Sequence, residues 1–291
     1  MTHRRQLAGA LAAALLIGSC SYAEPLDRSG IESAVQIPHG GVAIVFRQLR
    51  YRPAAGLAAF PDGGVPQYLR DDVILGVLSD GPPRMLRRIA NPGARGSLHA
   101  ALRASPVDPD HGLLLLSWQD RSGGSRTQWS RVAWKDGTIV PYPDFAAELG
   151  HQGRQLGSPE FGDLRPLDAT GALLLGARAS ETDELWIFQP DRGLRRLGAF
   201  THFYGLVGDE LYYWSGDSAL VLNWRTSATR LIARYDPASR TTTRYLPRDP
   251  TVLAVERPPP RAETGIAVEG RAVRALNANG VARAFSVPPS W

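Results

Sequence analysis

Leu185-Trp186-Ile187-Phe188, then Asp191-Arg192-Gly193, then Leu194-Arg195-Arg196-Leu197 is the stretch from which the fold is read. An apolar run, a turn built on Asp and Gly, and a second run carrying paired arginines make two strands joined by a tight hairpin. Gly, Asn and Asp occupy such turns because they tolerate the positive φ that a hairpin needs. The unit recurs on both sides. Upstream lie Val73–Leu78, Ser79-Asp80-Gly81, Met85–Ile89, and then Arg131–Trp134, Lys135-Asp136-Gly137, Thr138–Tyr142. Downstream lie Leu231–Tyr235, Asp236-Pro237-Ala238-Ser239, Thr241–Leu246, and finally Ala272–Leu276, Asn277-Ala278-Asn279-Gly280, Val281–Val287. The markers Gly81, Gly137, Gly193, Ser239 and Gly280 are spaced by 56, 56, 46 and 41 residues, near the ~40–50-residue period of a propeller blade.

Further strands precede the hairpins: Leu98–Leu102 and Leu113–Trp118, then Leu173–Ala177, then Glu210–Trp214. Helix signals are confined to Phe145–Leu149, and 23 prolines and 30 glycines favour many short strands. Asp168-Ala169-Thr170-Gly171-Ala172-Leu173-Leu174, followed by Glu184-Leu185-Trp186-Ile187-Phe188 and Gly193-Leu194-Arg195-Arg196-Leu197, resembles one blade of a TolB-type, WD40-like β-propeller. Ser105-Pro106-Val107-Asp108-Pro109-Asp110-His111-Gly112 before Leu113–Leu116 resembles the same turn with an insertion. The resemblance covers these two blades; the others share spacing more than letters. It implies a fold and carries no catalytic residues with it. The expectation is an all-β chain whose residues 34–291 form one β-propeller of five four-stranded blades, with six blades the alternative. The strand around Val42–Leu49 either belongs to the first blade or closes the ring against Val281–Val287.

The chain's start reads as an address. Arg4 and Arg5 precede the apolar stretch Leu7–Ile17, which is shorter than the ~20 residues a membrane span needs. Ile17-Gly18-Ser19-Cys20 resembles the lipobox of bacterial lipoproteins, with the only cysteine of the chain at its end. That resemblance implies cleavage before Cys20, acylation of Cys20, residues 1–19 as signal peptide and residues 20–33 as a lipidated tether. Ser21 after the cysteine implies outer-membrane sorting, by resemblance to enteric bacteria. The alternative is a soluble periplasmic or secreted chain cut after Ala23, since Ser21-Tyr22-Ala23 fits ordinary signal peptidase. Arg4-Arg5-Gln6-Leu7 faintly resembles a twin-arginine export signal and departs from it at Ala8. Without residues 1–19 the chain keeps 31 basic and 28 acidic residues, a net of +3, which argues against a nucleic-acid partner. The lone cysteine excludes an internal disulfide and any multi-thiolate zinc site.

Chemistry-bearing residues are sparse. His39, His99, His111, His151 and His202 show no metal spacing, so neither a metal nor another cofactor is expected. His111 among Asp108-Pro109-Asp110 is either a metal site or a turn in which Asp bonds its own backbone. Ser215-Gly216-Asp217-Ser218 echoes a hydrolase triplet, but no base or oxyanion donors accompany it, and a hairpin accounts for it. Strand tryptophans pack sheet against sheet, whereas Trp224, with Arg225 in a polar stretch, is the expected binding anchor. Arg87-Arg88, Arg195-Arg196 and Arg244 read as outer strands whose charge discourages edge pairing. The function expected is a non-enzymatic envelope scaffold for a protein partner. The alternatives are a propeller hydrolase or lyase, with Asp71, Asp72, Asp108 and Asp110 available at its opening, or capture of a glycan or small ligand.

Overall fold

Val42-Ala43-Ile44-Val45-Phe46 is an unbroken apolar run, and all five side chains are fully buried. A strand covered on one face alternates apolar with polar; a continuous run requires cover on both faces. In the computed structural model, which describes residues 24–37, 41–53, 67–93, 97–105, 107–120, 122–156, 164–179, 182–244, 266–276 and 282–291, that cover comes from two different sheets. Ala43 and Val45 meet Leu98, Leu102, Leu114 and Trp134 on one side. Val42, Ile44 and Phe46 meet Val273, Ala275, Val287 and Trp291 on the other.

Five antiparallel sheets make up the described residues, none closed into a barrel. The first holds β1 (Leu26–Asp27), β2 (Gly30–Ile37), β3 (Gly41–Arg52), β4 (Gln67–Leu78) and β5 (Arg84–Ala90). The second holds β6 (His99–Ala104), β7 (His111–Gln119), β8 (Ser125–Ala133) and β9 (Ile139–Pro141). After the short helix α1 (Phe145–Gly150) comes the third, with β10 (Gln155–Leu156), β11 (Arg165–Pro166), β12 (Leu173–Ala179), β13 (Thr182–Gln189) and β14 (Gly193–Phe200). The fourth holds β15 (His202–Val207), β16 (Glu210–Ser215), β17 (Ser218–Asn223), β18 (Thr229–Asp236) and β19 (Thr241–Arg244). The fifth holds β20 (Ile266–Glu269), β21 (Ala272–Leu276) and β22 (Ala282–Ser286).

The hairpin units read from the sequence appear as neighbouring antiparallel strands. The sheets are not uniformly four-stranded. β1 and β2 both pair with β3, and β10 and β11 both pair with β12, giving four layers of strand in those sheets. The fourth sheet is five deep and the fifth three deep. Val42–Leu49 lies within the first sheet, bonded to β2 and β4, and meets the fifth sheet through side chains alone. Within the segment 20–33 expected as a tether, Leu26–Asp27 and Gly30 onward are paired with β3.

The first four sheets pack face to face in chain order. Leu113, Leu173, Leu175, Trp186 and Phe188 join the second to the third, with Phe145 and Leu149 of α1 filling the same core. Leu174, Leu185, Ile187, Leu211, Tyr213 and Trp224 join the third to the fourth. Asp144 caps α1 by accepting from the Ala147 amide at 3.0 Å. Two glycines make room for rings: a Cβ on Gly112 would overlap Trp134, and one on Gly76 would overlap Trp291. Arginines staple the seams as well as guarding edges. Arg84 donates to the carbonyls of Lys135 (3.1 Å) and Trp134 (3.4 Å), and Arg131 to that of Ala169 (2.6 Å). Arg195 reaches Ser227 Oγ at 2.7 Å, and Arg283 reaches Asp80 at 2.6 Å.

Candidate functional site

β6 ends its sheet, so alternate backbone N–H groups along its inner edge have no strand to bond. Side chains of the first sheet take that place. Asp71 accepts from the Leu98 amide at 2.7 Å, Glu32 from Ala100 at 3.0 Å, and Ser33 from Leu102 at 2.9 Å. The two carboxylates share one buried guanidinium: Arg47 Nε donates to Asp71 at 2.7 Å and Nη1 to Glu32 at 3.2 Å. Asn91 Nδ2 supplies Asp71 with a further donor at 3.0 Å. Burial works against the charge on Arg47, but the Asp71 hydrogen bond and both carboxylates outweigh it, and its pKa is raised. Arg47 Nη2 and Gln48 Oε1 are buried without a hydrogen-bond partner among the described residues.

Beside this network lies a cavity of about 340 Å³, lined by Glu32, His99, Ala100, Ala101, Leu115 and Ser117. His99 stands at its rim, Nδ1 3.4 Å from Glu32 Oε1 and Nε2 2.9 Å from Ser97 Oγ. A carboxylate and an imidazole therefore meet on edge strands of two sheets. Of the acids singled out in the sequence, only Asp71 joins this group, through Arg47. Asp72 pairs with Arg70 at 3.3 Å and lies 3.9 Å from Arg88.

Asp108 and His111 form a second cluster. His111 Nδ1 lies 3.0 Å from Asp108 and 3.0 Å from Arg131 Nη2, which itself donates to Asp108 at 2.7 Å. The guanidinium occupies the place a cation would take. The space here is about 10 Å³, room for one water molecule rather than a substrate. Asp110 is held in the turn, accepting from the Trp134 amide at 2.9 Å. Burial opposes ionisation of Asp108, but hydrogen bonds from His111 and Arg131 prevail and lower its pKa. Burial pushes the neighbouring Tyr142 phenol up to about 12. Among the described residues, no three His, Cys, Asp or Glu side chains converge to hold a metal.

Trp224 is not a surface anchor. Its ring is fully buried between the third and fourth sheets, with the indole Nε1 unpartnered among the described residues, and the Trp224 backbone amide donates to the Asp209 carbonyl at 3.0 Å. Polar neighbours misled the reading because Asn223, Arg225 and Thr226 form the turn, while the indole swings inward. Arg225 stacks 4.1 Å from the Trp224 ring and is engaged by Asp209 at 2.9 Å and Asp168 at 3.1 Å, pinning two sheets together. Ser215 and Ser218 face each other across a two-residue hairpin with Gly216 at φ 57°. Cys20 lies outside the described residues. Glu32 escaped notice because its segment read as tether, although the apolar alternation in Gly30–Ile37 carries a strand signal.

No family model matches the chain, and no curated protein does. Among solved structures, it is similar to the complex of the fission yeast SREBP–SCAP binding domains. That match has a TM-score of 0.33 and 10% identity, covering 89% of this chain and 74% of that one. It is also similar to a protein from Lactobacillus plantarum, with a TM-score of 0.22 and 11% identity over 74% of this chain and 84% of that one. At these TM-scores neither likeness decides fold or function.

Proposed function

We propose that this chain is a cell-envelope lipoprotein, anchored through Cys20 on the periplasmic side of the outer membrane, whose five-bladed β-propeller holds a protein partner. The observation that carries the propeller reading is the position of the last sheet. Val273, Ala275, Val287 and Trp291 of the fifth sheet pack on the first, so the last strands return to the first ones, as the closing blade of a propeller does.

The scaffold reading is supported by what the buried acids do. Asp71, Asp108 and Glu184 are the buried carboxylates of the described residues. Each is engaged by arginine: Asp71 by Arg47, Asp108 by Arg131, and Glu184 by Arg154 at 3.2 Å and Arg196 at 2.9 Å. Carboxylates fixed in this way brace the fold rather than trade protons with a substrate. Glu32 and His99 at the cavity favour a second reading, in which the inner strands bind a small ligand or perform hydrolase chemistry.

Brief crosslinking of cells, mild detergent extraction and purification of the tagged, lipidated protein tests the scaffold. One recurrent stoichiometric envelope protein is the expected result; its absence with lipidation intact removes the reading. Cys20→Ser releases the protein from the membrane fraction if the lipobox is used, and leaves its distribution unchanged if cleavage follows Ala23.

A further inference from the structure

The 340 Å³ cavity has the Glu32 carboxylate in its lining. Two carboxylates, Asp71 and Glu32, share the single guanidinium of Arg47. Glu32 is the member that reaches the cavity, its side chain 21% exposed where that of Asp71 is 3%. Arg103, two residues beyond Ala101 on the same face of β6, is not among the cavity's lining residues. The walls, Ala100, Ala101 and Leu115, are apolar, and Ser117 adds a hydroxyl. This combination suits a monocation on a hydrocarbon stem.

We infer that the cavity receives a lysine side chain of the protein partner, with its ammonium at Glu32 and its methylenes along Ala101 and Leu115. The inference rests on the scaffold reading above and names the chemistry it recognises. Lysine fits better than arginine for a geometric reason. Glu32 Oε1 already accepts from Arg47 and Oε2 from the Ala100 amide. The carboxylate therefore has no open pair of oxygens for a guanidinium fork, while a point-like ammonium needs only one remaining lone pair.

The test titrates the purified full chain with a blocked lysine tripeptide and with its acetyl-lysine counterpart, at constant ionic strength. The readout is the His99 ring resonance, assigned with a His99→Gln variant. A saturable shift with the lysine peptide, about tenfold weaker or absent with the acetylated one, is expected. Glu32→Gln keeps a carbonyl for the Ala100 amide and is expected to lose the response. Ala101→Phe fills the cavity without touching the ion network and is expected to lose it too. Equal shifts with both peptides, or none at about 10 mM, overturn the assignment. So does capture of the envelope partner by Ala101→Phe at wild-type yield, a result that leaves the scaffold itself standing. Failure to capture any partner removes the scaffold, whereas the peptide titration reads the cavity independently of it.

Discussion

Trp224 and Arg225 are adjacent in sequence and opposite in energetic weight. The indole is among the largest fully buried side chains, so Trp224→Ala is expected to cost about 3–5 kcal/mol in urea unfolding. Arg225 is half exposed, and its ion pairs are screened by water, so Arg225→Ala is expected to cost about 1 kcal/mol or less. A Trp224→Ala loss as small as that of Arg225→Ala would show that the ring is not core. Asp108 makes a pH statement. Its pKa lies below the ordinary value of 3.8, so the folded state favours its charged form. The stability it contributes is complete above the unfolded pKa and is lost as pH falls through the lowered folded value. Asp108→Asn is therefore expected to flatten the acid arm of the stability–pH curve below about pH 4 while lowering stability at neutral pH. An acid arm unchanged by the substitution would mean that the carboxylate is not held by Arg131 and His111.

At the scale of elements, the inner edge of β6 is sealed by side chains instead of a strand. Asp71→Ala strips Arg47 of its closest partner inside the protein and is expected to cost about 3–5 kcal/mol. Ser33→Ala removes one neutral hydrogen bond and is expected to cost about 1 kcal/mol. In Asp71→Ala and Glu32→Ala the amides of Leu98 and Ala100, respectively, should exchange with solvent faster than the rest of β6. Uniform exchange along β6 would show that these side chains do not seal the edge. Elements were the most legible level of the sequence. The hairpins announced themselves through Asp, Asn and Gly turns a few residues long, and Phe145–Leu149 became the helix it resembled. The sealing group was not legible, because Glu32 and Ala100 are 68 residues apart and Asp71 and Leu98 are 27 apart. Such pairs carry no local pattern; they exist only once two sheets face each other. Trp224 failed for a related reason, since the residues of a turn are polar whichever way one of their side chains points.

At the scale of the whole molecule, the contact between the first and fifth sheets joins the two ends of the described chain. Arg283 meets Asp80 across 203 residues of sequence, and Trp291 lies over Gly76. Trp291→Ala is expected to loosen this seam, raising binding of a hydrophobic dye and the radius of gyration while the far-ultraviolet strand signal persists. Dye binding and radius equal to those of the wild type would place the closing energy elsewhere.

The same seam sets the order in which the protein becomes safe from its neighbours. Val42, Ile44 and Phe46 are made early, yet the residues that cover them come more than 220 positions later. At roughly 5–20 residues per second of synthesis, that apolar face waits on the order of 10–40 s for its cover. A sheet edge or face left open so long is an aggregation hazard. The yield of the newly made chain is therefore expected to respond to the supply of a holding chaperone more steeply than its final stability does.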